Sequence, residues 1–163
     1  MIPLRQDYVR DKLGFTLIEI VVVVGILSLL MGGALASFAN FRDKNTSLSE
    51  ALIVADRIRK VQARASAVEL PNGCIGSINF QVLMSGSDMS VRANCSGGIV
   101  IEIPELALAL GSSTYSSNYD LTIDSRTGNT TSVDIDICGR NHLFRISVNQ
   151  IAFVSRPVYM GTC

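Results

Sequence analysis

The sequence predicts an α+β fold in which a long N-terminal helix packs on a C-terminal antiparallel β-sheet. Three observations lead there. From Phe15 to Phe38 the chain is apolar, and Glu19 is its only ionisable side chain. A one-sided stripe of apolar residues spaced by three and four follows, from Leu48 to Val68. Beyond Pro71, short alternating runs are separated by Gly, Ser, Asn and Asp, as strands are by turns.

The length of 163 residues suits one domain plus an appendage, and the formal net charge is zero. Balanced charge gives no general electrostatic pull toward nucleic acid. Mean hydropathy is +0.36, a value raised by the one apolar segment rather than by the whole chain. About 20 apolar helical residues cross a bilayer, so residues 15–38 are long enough to span one. Ahead of them, Arg5, Arg10 and Lys12 outnumber Asp7 and Asp11. With the initiator amine, this excess favours a cytoplasmic N-terminus and an exported C-terminal part.

The apolar stripe comprises Leu48, Ala51, Leu52, Ala55, Ile58, Val61, Ala65 and Val68, with Arg57, Arg59, Lys60 and Arg64 on the other faces. Ser47 stands three residues ahead of Glu50, a capping-box spacing. The expectation is one long helix with a break allowed near Asp43–Thr46, ending at Leu70–Pro71, where "PNG" turns the chain. Its amphipathic half needs a cover, and a sheet supplies one. "INFQVLM" and "MSVRANC" alternate around "SGSD" and predict a hairpin. "NYDLTID" and "TSVDIDIC" around "SRTGN" predict a second, and "HLFRISV" and "IAFVS" around Asn149–Gln150 a third. "GGIVIEI" is a further strand, and "GSSTYSSNY" reads as a polar loop. The expected organisation is residues 1–14, a head; 15–38, a membrane-capable helix; 39–70, an amphipathic helix; and 71–163, an exported sheet domain.

Cys74, Cys95, Cys138 and Cys163 all lie in that last part. An even count in an exported domain suggests two disulfides, for which four cysteines permit three pairings. None forms a C-x-x-C or a Cys/His cluster, so no zinc site is expected.

A secretory signal would be cut after its apolar region, yet no A-x-A-like site follows this one. The alternative is cleavage before the run. "GFTLIEIVVVVGIL" resembles the N-terminal signature of type IV prepilins and type II secretion pseudopilins. The resemblance covers roughly the first thirty residues. It implies that a membrane aspartyl peptidase cuts between Gly14 and Phe15, that Phe15 is then N-methylated, and that Glu19 is the fifth mature residue. Two positions depart from the family pattern: Leu13 precedes Gly14 where a basic residue is usual, and "GGALAS" lacks the proline many major pilins carry.

The chemistry of Glu19 points the same way. A carboxylate near the bilayer interior costs roughly 2.5–3.5 kcal/mol on insertion scales and normally marks function with a partner. The new amine at Phe15 of a neighbouring subunit, shifted along a filament axis, would satisfy both charges and set the register of assembly.

A helix on an antiparallel sheet is also the pilin-like fold this resemblance implies, and "FRDK…SEALIVADRIRKVQARASAVELP" looks most like H-type minor pseudopilins and related minor pilins. A Cys74–Cys95 bridge would close the first hairpin, and Cys138–Cys163 would tie the C-terminus to the sheet. Each would contribute ~3 kcal/mol through loop entropy. The implied partners are the prepilin peptidase/N-methyltransferase, other pilin or pseudopilin subunits, an inner-membrane assembly platform, and membrane lipid before assembly. The implied location is the inner membrane in a single pass, then a pilus or pseudopilus. The chain would be structural, not an enzyme, and would need no cofactor.

Other chemistry finds less support. Asp134 and Asp136 could ligate calcium, but a strand's solvent face explains them, and no metal site is expected. "DSRTGN" lacks the spacing of an EF-hand and reads as a turn. His142, the one histidine, has no triad partner motif, and no nucleotide-binding glycine loop occurs. Arg140 and Arg145, with Arg156, offer a candidate DNA contact resembling that of certain minor pilins; solvated sheet charge is the default reading.

Overall fold

The computed structural model describes residues 16–151 and 153–163. The chain divides into two compact units, Met1–Ala39 and Asn40–Cys163. A single helix, α1 (Leu17–Ser66), contributes to both.

In the first unit α1 is apolar all round, and Leu17, Ile18, Val21, Leu29 and Leu30 are well exposed. Nothing in this stretch offers a polar face, so its exposure to water would be costly. An 18-residue window of the helix has mean hydropathy 2.4, making it long and apolar enough to cross a bilayer.

In the second unit α1 turns its small and branched residues inward. Ala51, Val54, Ala55, Ile58, Val61 and Ala65 are fully buried. They pack into one core with Phe80, Val82 and Leu121 of one sheet and Ile135, Phe144 and Ile146 of another. The stripe differs from the expected one at three places: Leu52 is exposed, Val54 takes the inward position, and Val68 is exposed beyond the end of the helix. Val54 lies three residues past Ala51 and four before Ile58, so it shares their face.

The helix runs unbroken through Asp43–Thr46. Ser47 is therefore not a cap. Its hydroxyl donates to the Asp43 carbonyl (3.0 Å), a bond within the helix. Nor does α1 reach Leu70. It closes at Ser66 with Val68 N–H donating to Ala65 O and Glu69 N–H to Arg64 O, both 3.1 Å. That pair of bonds is a Schellman closure, and it holds Val68 at φ 52°.

Among the described residues nine strands follow, all in antiparallel pairs. They are β1 (Ser77–Ser85), β2 (Asp88–Cys95), β3 (Val100–Glu102), β4 (Leu108–Ala109), β5 (Ser113–Tyr115), β6 (Tyr119–Asp124), β7 (Val133–Gly139), β8 (His142–Val148) and β9 (Val158–Gly161). A 3-10 turn, Pro104–Leu106, separates β3 from β4. One sheet has the order β3-β2-β1-β6, with β4 also on β2; the other is β5-β7-β8-β9.

The first hairpin forms around Ser85–Asp88 as its turn residues predict. The other two do not. β6 pairs with β1 instead of β7, leaving a single bridge, Ile123–Thr130, across the expected second hairpin. β8 pairs with β7 through the Arg140–Asn141 turn and with β9, so the third is reduced to the Val148–Val154 bridge. "GSSTYSSNY" is not all loop either: it contains β5, whose Ser113 and Tyr115 are buried. The expected single sheet is thus two. Chain order alternates between them at 113–139, which alternating hydrophobicity cannot reveal because it specifies faces and not partners.

Both disulfides are present: Cys74–Cys95 spans 21 residues and Cys138–Cys163 spans 25.

Candidate functional site

The start of α1 is built by local chemistry. Thr16 precedes the first helical residue, and its Oγ1 accepts the Glu19 N–H (3.3 Å). The Thr16 carbonyl accepts the N–H groups of Glu19 (3.1 Å) and Ile20 (3.3 Å). Thr-Leu-Ile-Glu is thus an N-capping sequence, a T-x-x-E pattern legible in the sequence but overlooked there. Glu19 lies in the first turn, at the positive end of the helix dipole. A polar cap and an acid accordingly stand at the head of a helix otherwise apolar to Gly33 apart from Ser28, whose hydroxyl bonds back to Val24 O (2.8 Å). Gly14 and Phe15, the expected cleavage and methylation positions, lie outside the described residues.

Residues 9–35 match the family model described as the prokaryotic N-terminal methylation motif. The chain carries a type IV prepilin-like signal. The matched span includes Gly14, Phe15, Thr16 and Glu19. With the apolar helix, this prepilin-like signal suggests membrane anchoring, and it indicates a processed pilin- or pseudopilin-like subunit. Proteins bearing it are structural subunits. No curated protein and no solved structure matched the chain.

In the second unit, the two arginines considered for DNA have different surroundings. Arg145 is held bidentately by Asp136, with Nε 2.7 Å and Nη2 2.8 Å from its carboxylate oxygens. Asp134 lies 3.9 Å from Nη1. Both aspartates on the strand face therefore balance one guanidinium, whose pKa they raise; hydrogen bonding to Asp136 is the leading cause. Arg140, on the β7–β8 turn, is 3.5 Å from Asp43 on α1 and three-quarters exposed. Among the described residues no group of three or more His, Cys, Asp or Glu could hold a metal.

His142 is buried, and neither ring nitrogen has a hydrogen-bond partner. It packs against the Tyr159 ring at 5.9 Å. A general base needs a hydrogen-bonded orienting group, which this imidazole does not have. The "DSRTGN" stretch is a turn built on Asp124, whose Oδ1 accepts from Arg126 N–H, Thr127 N–H and Thr127 Oγ1. The Thr127 backbone bond leads in lowering the Asp124 pKa.

The charged faces of α1 are more engaged than expected. Arg59 Nη2 donates to Val154 O (3.0 Å), Arg57 to Glu105 O (3.0 Å), and Arg64 pairs with Glu105 (2.7 Å). Lys60 alone of that set pairs within the helix, with Asp56.

Proposed function

We propose that the chain is a structural subunit of a type IV pilus or type II secretion pseudopilus, cut between Gly14 and Phe15 and assembled through α1. In this reading residues 1–14 are the leader, and residues 15–38 anchor the subunit in the inner membrane. Residues 39–70 carry the exported sheet domain of 71–163. The N-terminus is cytoplasmic before cleavage, and Phe15 is methylated after it. The prepilin peptidase/N-methyltransferase, an assembly platform and sister subunits are its partners.

The observation that carries this reading is the lone acid Glu19 inside a matched methylation motif and an apolar helix. A helix that begins at Leu17 keeps Glu19 in its first turn, and Glu19 is the one ionisable side chain between Lys12 and Arg42. Desolvation makes such a carboxylate seek a cation. The amine of Phe15 in an adjacent subunit is that cation, and the pair fixes axial register.

Glu19→Gln separates this role from local capping, since glutamine serves equally at the third position of a capping box. Expected is normal membrane insertion with loss of incorporation into filaments. Incorporation at the wild-type level would reject the pairing.

A further inference from the structure

We propose that Arg42, Lys44 and Arg140, together with Tyr159, form a docking surface for anionic phospholipid headgroups. The inference rests on the membrane-anchored reading above and assigns it a lipid contact outside the apolar helix.

Arg42 and Lys44 follow directly on Phe41, where the chain leaves its apolar run, and both are exposed. Folding brings a third cation to the same level of α1 from nearly a hundred residues away. Gly139 makes this possible. A Cβ there would stand 2.7 Å from the Ser47 Cβ, so only glycine lets the β7–β8 turn approach the helix so closely. The next residue, Arg140, projects a side chain that is 76% exposed, with Asp43 as its ion-pair partner at 3.5 Å.

Lys44 is held differently. Its Nζ sits 4.2 Å from the centroid of the Tyr159 ring, and no carboxylate pairs with it among the described residues. A cation on an aromatic face keeps its ammonium protons for a further acceptor. Three cations thus lie at this level of α1, where Asp43, the ion-pair partner of Arg140, is the one acid between Arg42 and Lys44, on a chain whose formal net charge is zero. Tyr159 on the edge strand β9 is itself 43% exposed. Basic side chains with an exposed tyrosine are the composition of a bilayer interface, where the cations meet phosphates and the ring sits at headgroup level.

Connectivity selects lipid over other polyanions. Arg42 and Lys44 are tethered to the segment that enters the bilayer, so headgroups of the adjoining leaflet are within reach at high effective concentration.

The test uses the full chain in nanodiscs of phosphatidylcholine alone and of phosphatidylcholine with phosphatidylglycerol, read by amide hydrogen exchange. Expected is exchange at Arg140, Asn141 and β9 slowed about fivefold or more by the anionic lipid, an advantage weakened by high salt. Lys44→Gln with Arg140→Gln should remove it while exchange at Ala51–Val61 is unchanged, which shows the fold intact; Lys44→Gln alone should reduce it. Equal exchange in both lipids, or protection retained in the double variant, overturns the proposal. So does equal protection in phosphatidylcholine discs given inorganic phosphate or duplex DNA, which would mark a general polyanion site. Failure of the chain to enter either disc overturns the membrane-anchored reading as well, whereas entry with equal exchange overturns only the lipid contact.

Discussion

Glu50 on α1 accepts the backbone N–H of Ser113 at 2.9 Å, joining the helix to the first residue of β5 across 63 positions of sequence. The same carboxylate accepts from Gly111 N–H (3.2 Å), Ser112 N–H (2.9 Å) and Ser112 Oγ (3.1 Å). The side chain expected to complete a capping box instead terminates an edge strand of the second sheet.

Removing that carboxylate leaves the 111–113 backbone without its acceptor. Charge-assisted hydrogen bonds contribute about 1.5–3 kcal/mol each, less where water can replace them. Glu50→Ala is therefore expected to lower stability by about 2 kcal/mol, measured by urea denaturation. The effect depends on pH. Burial alone would raise the Glu50 pKa, but hydrogen bonds from Ser113 and Ser112 outweigh it and bring the group below its ordinary 4.5. A lowered folded-state pKa gives stability that is complete above the unfolded-chain value and is lost as pH falls through the folded one. Wild type should thus lose its advantage over Glu50→Ala as pH drops below 4.5. A difference that stayed constant from neutral pH into that acid range would contradict the assignment.

Arg145 and Asp136 form the bidentate pair on the solvent face of the second sheet. Arg145 is 36% exposed, so solvent screening limits its value. A double-mutant cycle with Arg145→Met and Asp136→Asn should give a small favourable coupling that high salt weakens. Because this guanidinium is already committed, duplex DNA affinity of the full chain should not change in Arg145→Met. A tenfold drop would restore Arg145 as a nucleic-acid contact.

Val68 closes α1 at φ 52°, a left-handed position that a β-branched residue occupies at a cost. Its side chain is 56% exposed and buries little. Val68→Gly should therefore raise stability by about 1 kcal/mol, read from the thermal unfolding midpoint. Lower stability in the variant would show that its apolar contacts outweigh the strain.

The legibility of the sequence follows from which interactions are local. The apolar segment, the helix after it and the β1–β2 hairpin each depend on neighbours in the chain, and each was readable from spacing or turn residues. The T-x-x-E cap at Thr16–Glu19 was equally local and was there to be read. Partner choice is not local. β6 and β7 show clear alternation, yet β6 pairs with β1, far back in the chain, while β7 pairs with β8 across the next turn. The same holds for Glu50, whose neighbours suggested a cap while its acceptor role belongs to Ser113. Arg145 looked free in the sequence because the register that sets it opposite Asp136 was unknown.

In the proposed function a processed subunit assembles by its own N-terminal helix. Intact-mass and N-terminal peptide mass spectrometry of the chain recovered from assembled filaments tests it most directly. Expected is a chain beginning at Phe15, bearing one N-methyl group and lacking residues 1–14. Filament-borne chains that still begin at Met1 would contradict it.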